Sequence, residues 1–273
     1  MWPILALAGM TIQRQVTYRI ATLSGLATNI FFGLLRASVM VALYTGFAQA
    51  NGLGAETMLM RGMSMRQAVD FTGITQAILV YMALFGWWEF MELVRTGDIG
   101  SELLKPMNLY LSWLARDIGR ALAGLVMRGA PILLVFVLLF DTRLPQSITH
   151  WLTFAVAMVL GLWVSFGWRF LLNLCSFWTV EVRGIGRAVF GFAYMLSGFL
   201  MPLRFYPDWI RAIAWATPFP ATITVPVDAF LGVNNAQDMA GYLLIQALWG
   251  LGLALACQVV MRRGMRKLVI QGG

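Results

Sequence analysis

Lysine is nearly absent from this chain of 273 residues: Lys105 and Lys267 are its only lysines, and neither follows a glycine. The phosphate-binding loop of P-loop nucleotidases contains Gly-Lys-Ser or Gly-Lys-Thr, because the lysine reaches phosphates that the backbone amides cradle. The sequence therefore lacks this ATP site. We expect the chain to bind no cofactor, and any ATP and Mg²⁺ to be bound by another chain.

Histidine and cysteine are also scarce. The single histidine, His150, has no Cys or His at zinc-site spacing, and both Cys175 and Cys257 lie in apolar surroundings. A Gly-x-Ser-x-Gly nucleophile motif does not occur. We expect no metal site and no enzymatic activity in this chain, with a membrane-embedded lipid-modifying enzyme as the less favoured alternative.

Four clustered methionines could hold Cu(I) through their thioethers, although methionines more often cover adaptable apolar surfaces. They are Met58, Met60, Met63 and Met65.

Charged residues make up only 12% of the chain, hydrophobic residues make up 60%, and the mean hydropathy is +0.75. Soluble domains carry about 25% charged residues, so this chain has too few polar groups to cover a water-exposed surface. The net charge of +8 alone would suggest nucleic acid, but the basic residues stand at the ends of apolar stretches. We therefore expect contact with membrane lipid and none with nucleic acid.

Six apolar stretches approach the length of about 20 residues that a membrane-spanning helix needs. They cover residues 21–47, 71–93, 118–140, 151–174, 186–201 and 239–260. The whole chain, 1–273, then forms one all-α polytopic membrane domain. Residues 1–20 combine apolar and polar side chains in the manner of a helix lying in the membrane interface. Five prolines interrupt residues 202–232, so we expect short re-entrant helices there.

The basic residues also predict the orientation. Most of them flank the same ends of the spans, and a minority lies at the opposite ends: Arg61, Arg66, Arg143, Arg204 and Arg211. Cytoplasmic loops carry the excess of Lys and Arg, so the majority side is predicted to be cytoplasmic. Both termini then face the cytoplasm of a bacterial cell whose inner membrane holds the chain. Residues 202–232 lie on the outer side.

Two arginines, Arg36 and Arg128, lie within apolar stretches. A charge inside the membrane is costly enough that it often marks a functional site. The alternative is a structural arginine that reaches the interface or pairs with a nearby acid. The sequence leaves both interpretations open for each residue.

The segment 95–108, between the second and third spans, contains Gly-Asp-Ile-Gly-Ser-Glu-Leu-Leu-Lys-Pro. It resembles the Gly-Asp…Leu-Leu-x-Pro segment of ABC-2 type transporter permeases. Ser-Phe-Trp-Thr at 176–179, Ser-Gly-x-x-x-Pro-Leu at 197–203 and Phe-Tyr-Pro-Asp-Trp at 205–209 resemble further parts of the family in the same order. With Thr-Pro-Phe at 217–219, the resemblance covers nearly the whole chain. It looks most like a short six-helix subfamily of mostly uncharacterised substrate.

This resemblance implies the permease subunit of an ABC transporter. Two permeases, either two copies or two different chains, would associate with ATP-binding cassette ATPase subunits that bind ATP and Mg²⁺. A short cytoplasmic coupling helix would transmit closure of the ATPases to the permeases. Export of hydrophobic or amphipathic compounds is the favoured function, and export of lipid or glycan is the alternative.

The resemblance places the ATPase contact at residues 97–106, although the same segment could be an ordinary solvated loop. If the segment is helical, we expect Asp98 to cap its N-terminus and Pro106 to end it. Leu103 and Leu104 would dock into a groove on the ATPase. The predicted coupling residues are Gly97, Asp98, Glu102, Leu103, Leu104, Lys105 and Pro106.

The family usually lines its transport path with spans one, two and five. Aromatic and apolar residues on spans two and five are therefore candidates for that path, although aromatic side chains in membrane helices more often pack or face lipid. These candidates are Trp87, Trp88, Phe190, Tyr194 and Met195.

Overall fold

A computed structural model describes residues 2–17, 19–84, 87–179 and 182–266. Lys267 and the predicted cytoplasmic C-terminus lie outside these residues. The chain is nearly all-α, as predicted. In chain order the helices are α1 (Trp2–Thr17), α2 (Arg19–Ala50), α3 (Met65–Met82), α4 (Glu89–Thr96), α5 (Ile99–Leu103), α6 (Leu109–Gly124), α7 (Ala130–Phe140), α8 (Ile148–Leu174), α9 (Val182–Leu196), α10 (Asp208–Trp215), α11 (Thr224–Leu231) and α12 (Ala236–Met265). A small antiparallel hairpin, β1 (Leu59–Met60) and β2 (Met63–Ser64), precedes α3.

In the described part of the chain, four helical stretches are long and apolar enough to cross a membrane. They are Thr22–Ala50, Leu109–Phe140, Ile148–Phe177 and Ala236–Met265. These stretches overlap the first, third, fourth and sixth predicted spans. The other two predicted spans, 71–93 and 186–201, fall on the shorter helices α3, of 18 residues, and α9, of 15 residues. The count of six spans therefore stays a prediction.

Helix α3 lies at the centre of the bundle and packs against α2, α7, α8 and α11. A capping box begins it: the Ser64 hydroxyl accepts from the Gln67 amide at 3.3 Å, and the Gln67 side chain accepts from the Ser64 amide at 3.0 Å. Gly73 lets α7 approach closely, because a Cβ at this position would lie only 2.2 Å from the Phe136 ring. The methionine cluster around the start of α3 joins the same core, with Met63 fully buried.

The prediction of one continuous helix over 71–93 is wrong. Helix α3 ends at Met82, where Ala83 takes a left-handed conformation with φ 51° and ψ 48°. A new helix, α4, begins only at Glu89. Apolar side chains continue through this interruption, so hydropathy alone gave no stop signal.

The third predicted span begins earlier than expected and is one long helix with a local widening. Residues Leu125–Gly129 form a π-helical turn between α6 and α7. Pro131 follows at the second residue of α7, and a proline ring clashes with the carbonyl four residues before it in a regular α-helix. The wider turn accommodates the proline without ending the helix.

Short helices occupy residues 202–232, where re-entrant helices are predicted. Helices α10 and α11 have eight residues each, about 12 Å in length, and are too short to cross the hydrocarbon core. Helix α11 packs against α8. Gln246 of α12 also donates to the Ala221 carbonyl just before α11, at 2.7 Å. Whether this region re-enters from the outer side stays a prediction.

Helix α1 packs along α6. The two backbones meet at Gly119, where an added Cβ would lie 2.4 Å from the carbonyl oxygen of Ala8. A glycine is required here because no side chain fits between the helices. Helix α1 therefore covers one face of α6, close to the segment that follows α4.

Candidate coupling and transport site

The segment predicted to couple the chain to an ATPase contains the short helix α5, between α4 and α6. Asp98 stands at the position before α5, but its backbone is right-handed helical and its side chain makes no capping hydrogen bond. Its carboxylate instead accepts from the Thr96 hydroxyl at 2.7 Å. The capping prediction is therefore wrong: a capping side chain requires extended backbone, as at Asn108, which caps α6.

Glu102 fastens α5 to α6. Its carboxylate accepts from the Arg116 guanidinium at 2.9 and 3.1 Å and from the Lys105 ammonium at 2.6 Å. Burial alone would raise the pKa of Glu102, but the hydrogen bonds from Lys105 and Arg116 lower it below its ordinary value. Glu102 therefore acts within the chain, as a positioning residue.

Leu103 and Leu104, which are predicted to dock into a groove on the ATPase, differ in their exposure, and their docking stays a prediction. Leu103 packs against a buried cluster that includes Phe90 and Trp113. Leu104 is 87% exposed. Lys105 and Pro106 are also exposed, and Pro106 stands between the end of α5 and the start of α6. Of the two leucines, Leu104 is the more exposed.

A buried cluster of charges lies behind the coupling segment. Asp117 of α6 accepts from Arg169 of α8 at 2.7 and 3.1 Å and from Arg120 at 2.8 Å. The side chains of Asp117 and Arg169 are 1% and 0% exposed. Sequence reasoning missed this pair. The signal in the sequence was that Asp117 directly precedes the third predicted span and Arg169 lies five residues before the end of the fourth, so both lie near the same predicted side of the membrane.

Side chains of α6 and α8 satisfy the backbone where α3 ends. Arg120 donates to the carbonyls of Val80 and Tyr81 at 2.6 and 2.9 Å, and the Ser165 hydroxyl donates to that of Met82. The last carbonyls of a helix have no amide four residues ahead within the helix, although the Val80 carbonyl also accepts from the Ala83 amide at 3.2 Å. Positive charge is also favourable at that end of the helix dipole. Tertiary contacts from α6 and α8 thus stabilise the point at which the second predicted span is interrupted.

Asn173 of α8 likewise forms side-chain hydrogen bonds to the backbone at the start of α4. Its amide nitrogen donates to the Trp87 carbonyl at 2.8 Å, and its amide oxygen accepts from the Met91 amide at 3.1 Å. A single asparagine therefore bridges non-helical backbone to the first turn of α4. The coupling segment and α8 are connected through it.

A cavity of about 1160 Å³ opens between α1, α4, the coupling segment and α6. Its wall is amphipathic, with three tryptophans beside acidic and basic side chains. The lining includes Leu7, Met10, Arg14, Trp87, Trp88, Glu89, Glu92, Glu102, Lys105, Trp113, Arg116, Asp117 and Arg120. Arg14 of α1 and Glu89 of α4 form an ion pair at 3.3 Å at this cavity. An apolar molecule with a polar end matches such a lining.

Comparison with known protein families identifies the chain. Residues 18–272 match the family described as ABC-2 family transporter protein. The chain belongs to this family. No curated protein and no solved structure matches the chain. ABC-2 permeases are membrane subunits that work with ABC ATPase subunits and are generally not catalytic, which disfavours the enzyme alternative.

The five candidate path residues of this ABC-2 permease lie in different packing clusters. Trp87 packs against Trp113, with ring centroids 5.3 Å apart. Trp88 contacts Phe190 at the same separation, and both belong to one cluster between α8 and α9. Among the five, Trp87 and Trp88 line the amphipathic cavity.

Tyr194 and Met195 lie elsewhere. The Tyr194 ring packs edge-on against Phe199 at 4.9 Å. Met195 packs against a buried cluster that includes Leu203 and Tyr206. Tyr194 and Met195 therefore do not line the amphipathic cavity that Trp87 lines.

Arg36 connects three parts of the permease. Its guanidinium donates to the side chains of Gln76 and Thr75 in α3, at 3.1 and 3.3 Å, and to the carbonyl of Phe199 beyond α9. It also lies 4.3 Å from the centroid of the Phe199 ring. These contacts favour the structural interpretation, because they occupy both Nη atoms of the guanidinium within the chain.

Arg128 lies on the π-helical turn and packs against Gly25 of α2. A Cβ at Gly25 would lie 2.7 Å from the Arg128 Cζ atom. The small residue thus makes room for the guanidinium between two spans. This contact positions Arg128 without assigning it a role in transport.

Proposed function

We propose that this ABC-2 permease exports hydrophobic or amphipathic compounds, together with ATP-binding cassette subunits that supply the energy. The observation that carries the proposal is the amphipathic cavity of about 1160 Å³. Its volume exceeds the upper end of the range of about 300–1,000 Å³ for small-molecule pockets. Its three tryptophans offer apolar area, and its charges can orient the polar end of a substrate.

The proposal assigns the ATPase contact to residues 97–106. Leu104 supports this assignment, since its side chain is 87% exposed and binding to a partner would remove that apolar area from water. Glu102 would keep the segment attached to α6, so that force on Leu104 moves α6 rather than the loop alone. The second permease would be either another copy of this chain or a related one.

Export of lipid or glycan is the second candidate. The cavity favours lipid of the two, because α1 residues such as Leu7 and Met10 line it beside the charges. A lipid has the same division between a polar head and apolar chains. The proposal places both termini in the cytoplasm of a bacterial cell, with export across its inner membrane.

Reconstitution tests the proposed function. The permease is co-expressed with a candidate ABC ATPase, purified as a complex and placed in liposomes, and ATP hydrolysis is measured against a series of amphipathic compounds and lipids. We expect amphipathic compounds to stimulate hydrolysis, and Trp88→Ala to alter their order of potency. Trp178→Ala, at an exposed tryptophan that does not line the cavity, is the matched control. Stimulation by lipids alone would favour the second candidate, and no stimulation by either would oppose both.

A further inference from the structure

A smaller cavity, of about 230 Å³, lies among α3, α10, α11 and α12, at the end of the bundle that is predicted to face outward. It shares no lining residue with the amphipathic cavity. Its wall carries charges of both signs, hydrogen-bonding groups and three aromatic side chains. The groups that matter are Arg204, Arg211, Trp215, Asp228, Asn234 and Tyr242.

Asp228 of α11 is the buried acid of this cavity. The residue is only 8% exposed. Among the described residues, its one side-chain hydrogen bond comes from the Asn234 amide at 3.5 Å, which is at the limit of such a bond. A buried carboxylate with so weak a donor is unfavourable unless another donor approaches it. Burial raises the pKa of Asp228, and the Arg204 charge and the Asn234 hydrogen bond oppose that shift only in part.

Arg204 supplies the positive charge. It lines the same cavity, and within the described part of the chain its guanidinium forms no ion pair with Asp228 or any other acid. Arg211 is different, because Asp208 holds it at 3.1 Å. Asp228 and Arg204 thus face one cavity, where the Arg204 charge acts on the carboxylate without a direct ion pair between them. A ligand with both charges would complement them.

Two further features restrict the chemical class of ligand that this cavity could bind. Trp215 and Tyr242 stack with centroids 4.9 Å apart, and aromatic rings at a cavity wall attract organic ammonium groups. Tyr242 is the seventh residue of α12, so the cavity lies about 9 Å along the helix from its end. That depth is close to the polar headgroup region of a bilayer. The cavity is several times the roughly 30 Å³ that one water occupies.

We propose that this outer cavity binds a small zwitterionic group, with its ammonium directed to Asp228 and its phosphate or carboxylate directed to Arg204. The group could belong to the headgroup of a lipid or to a soluble molecule of the same chemistry. The site goes beyond the proposed export function and does not depend on it. Its test requires neither ATP nor an ATPase.

The test uses the full-length chain in nanodiscs of phosphatidylglycerol. Isothermal titration calorimetry measures binding of soluble phosphoethanolamine, and native mass spectrometry measures retention of added phosphatidylethanolamine. Asp228→Asn and Arg204→Gln each remove one charge and should weaken binding at least tenfold. Asp141→Asn is the matched control, since this exposed acid pairs with Arg66 at 2.6 Å and does not line the cavity.

The two probes distinguish the sources of the ligand. Binding of phosphoethanolamine that both variants weaken indicates a soluble ligand, and retention of phosphatidylethanolamine that both variants reduce indicates a lipid headgroup. Binding of neither probe by the wild-type chain, or equal binding by the wild type and both variants, would overturn the proposal. Should Asp228→Asn fail to fold, Arg204→Gln decides alone, because no ion pair with a described acid depends on that guanidinium.

Discussion

Asp117 and Arg169 form a bidentate ion pair that links α6 to α8 inside the bundle, with N–O distances of 3.1 and 2.7 Å. Arg120 shares the Asp117 carboxylate and binds the last carbonyls of α3. Three helices therefore meet at one carboxylate. Glu102, through Arg116 beside Asp117 in sequence, attaches the coupling segment to the same helix. Movement of that segment is thereby connected to the point where α3, α6 and α8 meet.

The first prediction concerns this ion pair. Asp117→Asn should lower the free energy of unfolding by about 3–5 kcal/mol, because it leaves the buried Arg169 guanidinium without a counter-charge. Asp117→Leu combined with Arg169→Met should cost less than the sum of the two single changes. Unfolding of the purified chain in detergent, followed by helical circular dichroism, measures both effects.

Arg183→Gln is the control for this series. Arg183 pairs with Glu92 at 2.9 Å, but both side chains are substantially exposed, and exposed pairs contribute about 0–1 kcal/mol. A loss for Asp117→Asn no larger than that of the control would contradict the assigned role. Strict additivity of the two core changes would also contradict it.

The sequence predicted a helical membrane protein of this family, and the family match agrees. Hydropathy could not locate the end of α3, because the apolar run continues to Leu93. The helix ends where the side chains of Arg120 and Ser165 donate hydrogen bonds to its last carbonyls. Those contacts come from residues about 40 and 80 positions away. The separation of Leu103 from Leu104 likewise depends on how α5 sits on the core, which no local pattern encodes.

The second prediction concerns Asn173, which bridges the start of α4. Asn173→Leu removes the donor to the Trp87 carbonyl and the acceptor for the Met91 amide. Each unsatisfied backbone group costs about 1–3 kcal/mol, so the coupling segment should loosen before the bundle unfolds. Amide hydrogen exchange should quicken over α4 and α5 and stay unchanged in α12. Unaltered exchange in α4 would exclude this role for Asn173.

The third prediction is the topology. In intact cells of a variant without native cysteines, an impermeant maleimide should label Cys at Asn51 and Gln146 and should leave Cys at Gln15 and Gln271 unlabelled. Asn51 and Gln146 are exposed in the structure, so burial would not explain a lack of labelling there. The expectation rests on the excess of basic residues at the side predicted to be cytoplasmic. Labelling of position 271 in intact cells would refute the orientation.

The last prediction separates the two leucines of the coupling segment. Leu104→Ser replaces a side chain that is 87% exposed, so the fold of the chain should be unaffected while the co-purified amount of ATPase falls, or hydrolysis continues without transport. Leu103→Ser places a hydroxyl beside the buried cluster of Phe90 and Trp113 and should instead lower the thermal stability of the chain. ATPase co-purification, export and melting temperature are measured for both variants.

Glu102→Gln provides the third arm of that experiment. It weakens the attachment of α5 to Arg116 but leaves Leu104 in place. We therefore expect the ATPase to remain bound while transport per ATP hydrolysed declines. Loss of ATPase attachment with Leu104→Ser would assign the ATPase contact to Leu104. Loss of transport with retained attachment in Glu102→Gln would assign the transmission of ATPase movement to Glu102. Normal export and normal ATPase recovery with Leu104→Ser would move the contact away from residues 97–106. The turn around Glu181, which lies outside the described residues, would then be the next segment to test.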